Sequence, residues 1–233
     1  MKIAIIVPMA QEAEYYHKHF PNSEKKVFGS AEFEHFSVNG NDIYLGLSGI
    51  GKVNAAMNLT SLLTKEKIDL IFMTGSAGAL QKDIHQKDLI LPTAFTYHDA
   101  HNTLAGDYVE GQIPQEPAKY ELKSEARKKF AEFLEREGID FKEGLIVTGD
   151  SFIGSKKQKE TIQKMFPEAL GVEMEGAAFA QVASHFKTPL IALRAVSDNG
   201  DDSAGEDFDV FVKEVGQKAA EKISKYLESK VLD

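Results

Sequence analysis

The sequence contains no cysteine and only three arginines, Arg127, Arg136 and Arg194. Without cysteine there is no disulfide, no thiolate nucleophile and no thiolate metal site. Such a chain fits a reducing compartment, and the expected location is cytoplasmic. Positive charge is scarce overall: 27 Lys and Arg stand against 36 Asp and Glu, a net charge of −9. Nucleic-acid binding needs clustered cations. No Lys/Arg cluster with interleaved aromatics occurs, so nucleic acid is not an expected partner. Long hydrophobic runs are missing too. The apolar start, Lys2–Met9, is too short to span a membrane. It is followed at once by Glu12 and Glu14, unlike a signal peptide. It reads as a first buried strand, and no membrane partner is expected. Repeats, low-complexity runs and linkers are also absent.

What is present is a 233-residue chain with 42% hydrophobic residues, enough for a core. Its length suits one domain over residues 1–233. Short runs rich in branched residues predict buried strands at Ile3–Val7, Leu70–Thr74, Leu89–Pro92, Leu145–Thr148, Ala169–Val172 and Leu190–Val196. Glu32–Val38 and Ile43–Leu47, joined by Asn39-Gly40-Asn41-Asp42, predict a hairpin. Helices are predicted at Gly51–Lys65, Lys123–Glu137 and Gly176–Phe186. A last helix carries the stripe Phe208, Phe211, Val212, Val215, Ala219, Ile223 and Tyr226/Leu227. This alternation predicts an α/β fold of three layers, α/β/α, with a central mixed twisted sheet. Ligands sit beyond the carboxyl ends of strands in such sheets. Glu12, Ser76, Glu175 and Asp198 all follow predicted strands.

Several motifs have competing readings. Gly46-Leu47-Ser48-Gly49-Ile50-Gly51-Lys52 has the spacing of a phosphate loop, but Val53 stands where a magnesium-binding hydroxyl belongs. The alternative is a tight strand-to-helix turn. Thr74-Gly75-Ser76-Ala77-Gly78 reads either as a place where a ligand approaches the backbone or as an ordinary small-residue turn. It lacks the spacing of a nucleophile elbow. His98-Asp99-Ala100-His101 has no supporting ligand cluster for a metal, and the other histidines are expected at the surface. Glu173 and Glu175 fit either a site or a helix start favoured by the macrodipole. Asp198 fits either a site or a turn cap. Three acids after three strands tip the balance towards a site.

Seven segments carry a resemblance. Met9-Ala10-Gln11-Glu12, Ser48-Gly49-Ile50-Gly51-Lys52-Val53, Thr74-Gly75-Ser76-Ala77-Gly78 and Tyr97-His98-Asp99-Ala100 stand in order. Gly149-Asp150-Ser151-Phe152-Ile153, Val172-Glu173-Met174-Glu175 and Arg194-Ala195-Val196-Ser197-Asp198 follow. Together they resemble the 5′-methylthioadenosine/S-adenosylhomocysteine nucleosidase family of the purine and uridine phosphorylase superfamily, from Lys2 to about Leu227.

The resemblance implies a nucleoside phosphorylase-like fold, a homodimer and hydrolysis of the N-glycosidic bond of an adenine nucleoside by water. It implies Asp198 as the acid to adenine N7, Glu12 as the base for the water and Glu175 as the holder of the ribose hydroxyls. Phe152 would stack on adenine, and the Ile153 backbone would bond its edge. Met174 would lie against the sugar, and Gly78 close to the nucleoside. Ser76 and Arg194 would help place the water. Ser197 would orient Asp198, and Phe208 would lie near the base. Met9 and Ile50 are implied as further substrate contacts.

The chemistry is consistent with those residue types. Adenine departs as a neutral base only if N7 is protonated, so a general acid is needed. An ordinary Asp has a pKa of about 3.9 and must be raised to serve near neutrality. As the bond stretches the ribose becomes oxocarbenium-like, and nearby carboxylates stabilise that charge more than the ground state. A second carboxylate activates water, as in glycoside hydrolysis. No metal or organic cofactor is expected.

Phosphorylases of the superfamily carry a Gly-Asp-Pro-x-Arg loop after the first strand. Here Pro8–Glu12 puts a carboxylate there, which suits water rather than phosphate. One departure concerns the 5′ tail. The family shows an Ala-Phe-Gly-Tyr stretch that closes the 5′-alkylthio pocket across the dimer interface. Here the run His101–Tyr108 has one residue extra, with Ala105 in place of the Phe. Loss of a buried Phe removes apolar contact worth ~1–3 kcal/mol. Other adenosine 5′-derivatives, including an aminodeoxyfutalosine-type substrate, therefore stay open. A non-catalytic nucleoside-binding domain is the contrasting reading, and the three intact acids speak against it.

Overall fold

The computed structural model describes residues 1–229; residues 230–233 of the expected domain lie outside the described residues. In chain order the elements are β1 (Lys2–Val7), α1 (Ala10–His19), β2 (Glu24–Phe28), β3 (Ala31–Val38), β4 (Asn41–Leu47), α2 (Lys52–Leu63), β5 (Leu70–Ala79) and β6 (Leu89–Tyr97). There follow β7 (Tyr120–Glu121), α3 (Glu125–Arg136), β8 (Lys142–Thr148), α4 (Lys156–Met165), β9 (Ala169–Glu173), α5 (Gly176–Phe186), β10 (Leu190–Asp198) and α6 (Ala204–Glu228). The strands form one mixed sheet with helices on both faces, the α/β/α layering expected.

The first strand shows why the layers form. Ile3, Ile5 and Val7 join a core cluster with Tyr16 of α1, Phe130 of α3 and Val215 and Ile223 of α6. Ala4 and Ile6 face the opposite cluster, with Leu59 and Leu62 of α2 and Ala177 and Ala180 of α5. A strand covered on both faces needs an uninterrupted apolar run. β1 lies between β4 and β5 and runs parallel to both. The hairpin β3–β4 turns at Asn39 and Gly40, with φ of 47° and 77°. Two successive positive φ values suit the right-handed strand twist.

Beyond β5 the sheet closes on itself. β5 pairs with β10, β10 with β6, β6 with β8, β8 with β9, and β9 returns to β5. The strands β1, β4, β3 and β2 extend outward from β5 as a wing.

Strands β5, β10 and β6 run further than the sequence predicts. β5 continues through Thr74-Gly75-Ser76-Ala77-Gly78, so this segment is strand and not a turn. β10 pairs with it residue by residue, Arg194 with Gly75, Ala195 with Ser76 and Val196 with Ala77. Backbone pairing does not depend on side chains, and the Arg194 guanidinium fills the space that a side chain at Gly75 would take. β10 itself runs on to Asp198. β6 passes the expected stop at Pro92, where its register against β8 shifts, a position at which proline is tolerated. Helices α1 and α4 and strands β2 and β7 have no counterpart in the sequence reading.

Candidate active site

The carboxyl ends of β1, β5, β9 and β10 open onto a cavity of about 320 Å³. Met9, Glu12, Ile50, Ser76, Gly78, Phe152, Met174, Glu175, Arg194, Ser197, Asp198 and Phe208 line it. Of the expected residues only Ile153 stands apart. It is buried and borders an adjoining pocket of about 40 Å³, with Phe152, Met174 and Asp198.

Glu12 lies in the first turn of α1 rather than in a loop. Its Oε2 accepts from the Met9 N–H at 3.2 Å, tying the helix start to its own side chain. Its Oε1 accepts from the Ser76 N–H at 2.8 Å and the Ser76 hydroxyl at 3.0 Å. Helix α6 covers it closely, since a Cβ on Gly216 would stand 2.9 Å from Glu12 Cγ. Burial lifts the Glu12 carboxyl above the ordinary glutamate range, against Arg194 and the Ser76 and Met9 donors.

Arg194 is buried and is among the residues that line the cavity. Its Nη2 donates to Glu173 and, at 3.2 Å, to Glu175. Burial works against the guanidinium charge, but Glu173, Glu175 and Glu12 outweigh it and raise its pKa. Burial also raises Glu175; Arg194 opposes that and Glu173 adds to it. Glu175 Oε1 accepts from the Gly51 N–H at 2.9 Å.

Glu173, to which the sequence assigns no role, is the anchor of this group. It accepts from the Glu175 N–H at 3.0 Å, the Gly176 N–H at 2.7 Å, the Thr148 hydroxyl and Arg194. Thr148 Oγ1 in turn accepts from the Ala177 N–H at 2.8 Å. The start of α5, and with it Glu175, is thereby held at three successive amides. The only signal in sequence was a second carboxylate two residues before Glu175.

Asp198 ends β10. Its Oδ2 accepts from the Ser197 hydroxyl at 2.7 Å and its Oδ1 from the Gly200 N–H at 2.8 Å. Burial raises its pKa, the Ser197 and Gly200 donors oppose this, and Asp207 and Asp201 add to it. A Cβ on Gly78 would come within 2.8 Å of Asp198 Oδ1, so Gly78 serves the close approach of the acid to β5. Phe152 and Phe208 face each other edge-on, with ring centroids 5.6 Å apart. Phe152 is 46% exposed, which leaves an aromatic wall free for a planar ligand.

The phosphate-loop spacing has a different use. Gly49 and Gly51 take φ of 81° and 94° in the turn before α2. The first amides of α2 are already occupied: Gly51 N–H by Glu175 and Lys52 N–H by Asp150 at 2.8 Å. Lys52 Nζ binds Asp99 at 2.6 Å. These donors hold carboxylates of the same chain. The two histidines of His98–His101 also separate. His98 is buried against Gly149, whereas His101 is exposed and meets Glu110 at 2.8 Å.

Residues 2–231 match a family model described as the phosphorylase superfamily. A 5′-methylthioadenosine/S-adenosylhomocysteine nucleosidase of Staphylococcus carnosus (strain TM300) is 39% identical over 227 residues, 97% of this chain and 99% of the relative. The solved structure of such a nucleosidase from S. pneumoniae with a transition-state inhibitor, MT-ImmA, matches with a TM-score of 0.93. Its identity is 36% and the match covers 100% of both chains. A futalosine hydrolase mutant of Helicobacter pylori strain 26695 matches with a TM-score of 0.91 at 30% identity, over 96% of this chain and 97% of that one. On its fold, its cavity and these matches over nearly its full length, the chain belongs to the phosphorylase superfamily and, within it, to the 5′-methylthioadenosine/S-adenosylhomocysteine nucleosidase family.

Proposed function

We propose that the protein is a hydrolase of N-glycosyl bonds that releases adenine from 5′-methylthioadenosine and S-adenosylhomocysteine, with water as the nucleophile. The observation that carries this reading is the charge of the cavity. Glu12, Glu173, Glu175 and Asp198 line it, and the one cation among the lining residues, Arg194, is already paired. Such a site repels phosphate and favours a ribose that turns positive as the glycosidic bond stretches.

Asp198, raised by burial, gives its proton to N7 while the C1′–N9 electrons stay on the base. Glu12 takes a proton from the water that attacks C1′, with Ser76 beside it and Arg194 beneath. Glu175 accepts from the ribose hydroxyls, with Met174 against the sugar. Phe152 stacks on adenine near Phe208, and the Ile153 backbone meets its edge. Ser197 orients Asp198, Gly78 lies near the nucleoside, and Met9 and Ile50 contact the substrate towards the mouth. Residues 1–233 act as one nucleosidase domain in the cytoplasm.

A homodimer completes the 5′ end of the site. In support, Ile50, Val53 and Met57 are exposed beside and along α2, and Phe186 at the end of α5 adjoins Val53 and Val182 in one groove. The 101–116 segment does not line this chain's own cavity, and Leu104 is fully exposed. A partner's copy of that segment would cover the tail. Ala105 and the likeness to a futalosine hydrolase keep a second reading in play, a preference for another 5′-modified adenosine.

The test incubates the purified protein with methylthioadenosine, adenosylhomocysteine and aminodeoxyfutalosine, with and without phosphate, and identifies both products. Free adenine and free sugar at a rate independent of phosphate are expected. Adenine release that requires phosphate, with a sugar phosphate as product, would overturn the hydrolase reading.

A further inference from the structure

The turn that follows Asp198 is held from behind by a half-buried lysine. Lys159 of α4 donates from Nζ to the Asn199 carbonyl at 2.6 Å. The other end of the same peptide group, the Gly200 N–H, donates to Asp198 Oδ1 at 2.8 Å. A single peptide unit therefore joins an ammonium on one side to the carboxyl group on the other. Its orientation is confined. Gly200 has a φ of 59°, and its Cα side rests near Ala79 O and Ile153, where an added Cβ would make contacts at 3.4 and 3.9 Å. A second tie, from the Lys156 N–H to Asp202 at 3.2 Å, fastens the same turn to the start of α4.

We infer that Lys159 is a positioning residue for Asp198, which it serves through the Asn199–Gly200 peptide by holding the carboxyl group in place and stabilising the carboxylate left when the proton moves to the base. This rests on Asp198 being the acid. Hydrogen bonds in series polarise one another. An ammonium at the carbonyl end makes the N–H end a stronger donor. That donor gains most when Asp198 becomes an anion, which happens on the way to the transition state and not in the ground state.

The charges around Asp198 make such a counterweight necessary. Asp201 faces it from the turn and Asp207 from α6, and both disfavour the anion. Glu173 and Glu175 line the same cavity, where Arg194 is held by those two acids. Lys159 is the cation on the other side. Its position has a cost, since burial lowers its pKa while Asp201 and Asp198 act in the opposite sense.

The experiment measures kcat against pH with methylthioadenosine for Lys159→Met, Lys159→Gln, Lys159→Arg and Asp198→Asn, each first checked by thermal melting. Loss of the charge should lower kcat about tenfold with less change in KM. It should also move the alkaline limb of kcat upward by about half a pH unit, because the anion of Asp198 is less favoured. Lys159→Gln keeps a donor but no charge, so it should show the limb shift even if Lys159→Met folds poorly. Lys159→Arg should restore both rate and limb. An unmoved limb in both neutral variants overturns the inference, including when kcat falls, since the acidity of Asp198 would then be independent of the ammonium behind the peptide. A limb that stays shifted in Lys159→Arg overturns it too, since a loosened turn that weakens the Gly200 N–H bond moves the limb without any part played by the charge. If Asp198→Asn loses turnover in that case, only the role of Lys159 fails. If Asp198→Asn turns over normally, the acid assignment fails and the inference with it.

Discussion

The acid at the end of β10 is placed by a residue with no side chain. Gly78 leaves 2.8 Å between an added Cβ and Asp198 Oδ1, so Gly78→Ala displaces the carboxyl group. A misplacement of about 1 Å costs on the order of a hundredfold in rate. The variant should keep its circular dichroism spectrum and lose roughly that factor in kcat. Asp198→Asn should lower kcat by about 10²–10⁴, the usual worth of a general acid. It should not melt lower than the parent. Burial raises the folded-state pKa of Asp198. The stability linked to its proton is therefore complete below the unfolded value and is lost as pH rises through the folded value. Asparagine has no such loss, so melting curves across that interval should move in its favour as pH rises. At this scale Glu12, Glu175 and Asp198 were legible as acids at strand ends. Glu173 was legible only as a second acid beside Glu175; its task was not, because it depends on meeting Arg194 and Thr148, which are distant in sequence.

Elements were legible where an apolar pattern announced them. α5 matches its predicted span, and the stripe from Phe208 marks most of α6. α4 buries only Ile162, so it shows almost no apolar face. Its Ser155–Gln158 start is a capping signal: the Ser155 hydroxyl accepts from the Gln158 N–H and donates to Gln158 Oε1. α1 has Tyr15, Tyr16, His17 and His19 in its body, residue types of modest helix propensity, and is held by packing of Ala13 and Tyr16 under α6. The start of α5 depends on Thr148, whose hydroxyl serves both Glu173 and the Ala177 N–H. Thr148→Val leaves a buried amide unpaired, at a cost of about 1–3 kcal/mol. Urea unfolding should show that loss, and an unchanged midpoint would mean that the amide finds another acceptor.

The closed ring of β5, β10, β6, β8 and β9 is a property of the whole molecule, and alternation of strands and helices predicted only a mixed sheet. Assembly belongs to this scale as well. Val53 is 71% exposed, so its replacement by glutamate should leave the melting temperature of the protomer nearly unchanged. In light scattering, Val53→Glu should convert a dimer of the parent protein into a monomer. A dimer that survives the charge would place the interface elsewhere. What the sequence determined by itself is local: buried strands from branched apolar runs, a hairpin from Asn39-Gly40, and acids where strands end. Its ordered segments also pointed to the family. What only the tertiary structure decided is which groups share a charge. Glu12, Asp198 and Glu175 began as three separate carboxylates. They became one site because the fold brings them to one buried cavity, where burial raises the pKa of each, and because Arg194, Glu173 and the Asn199–Gly200 peptide reach them from strands and turns far apart along the chain.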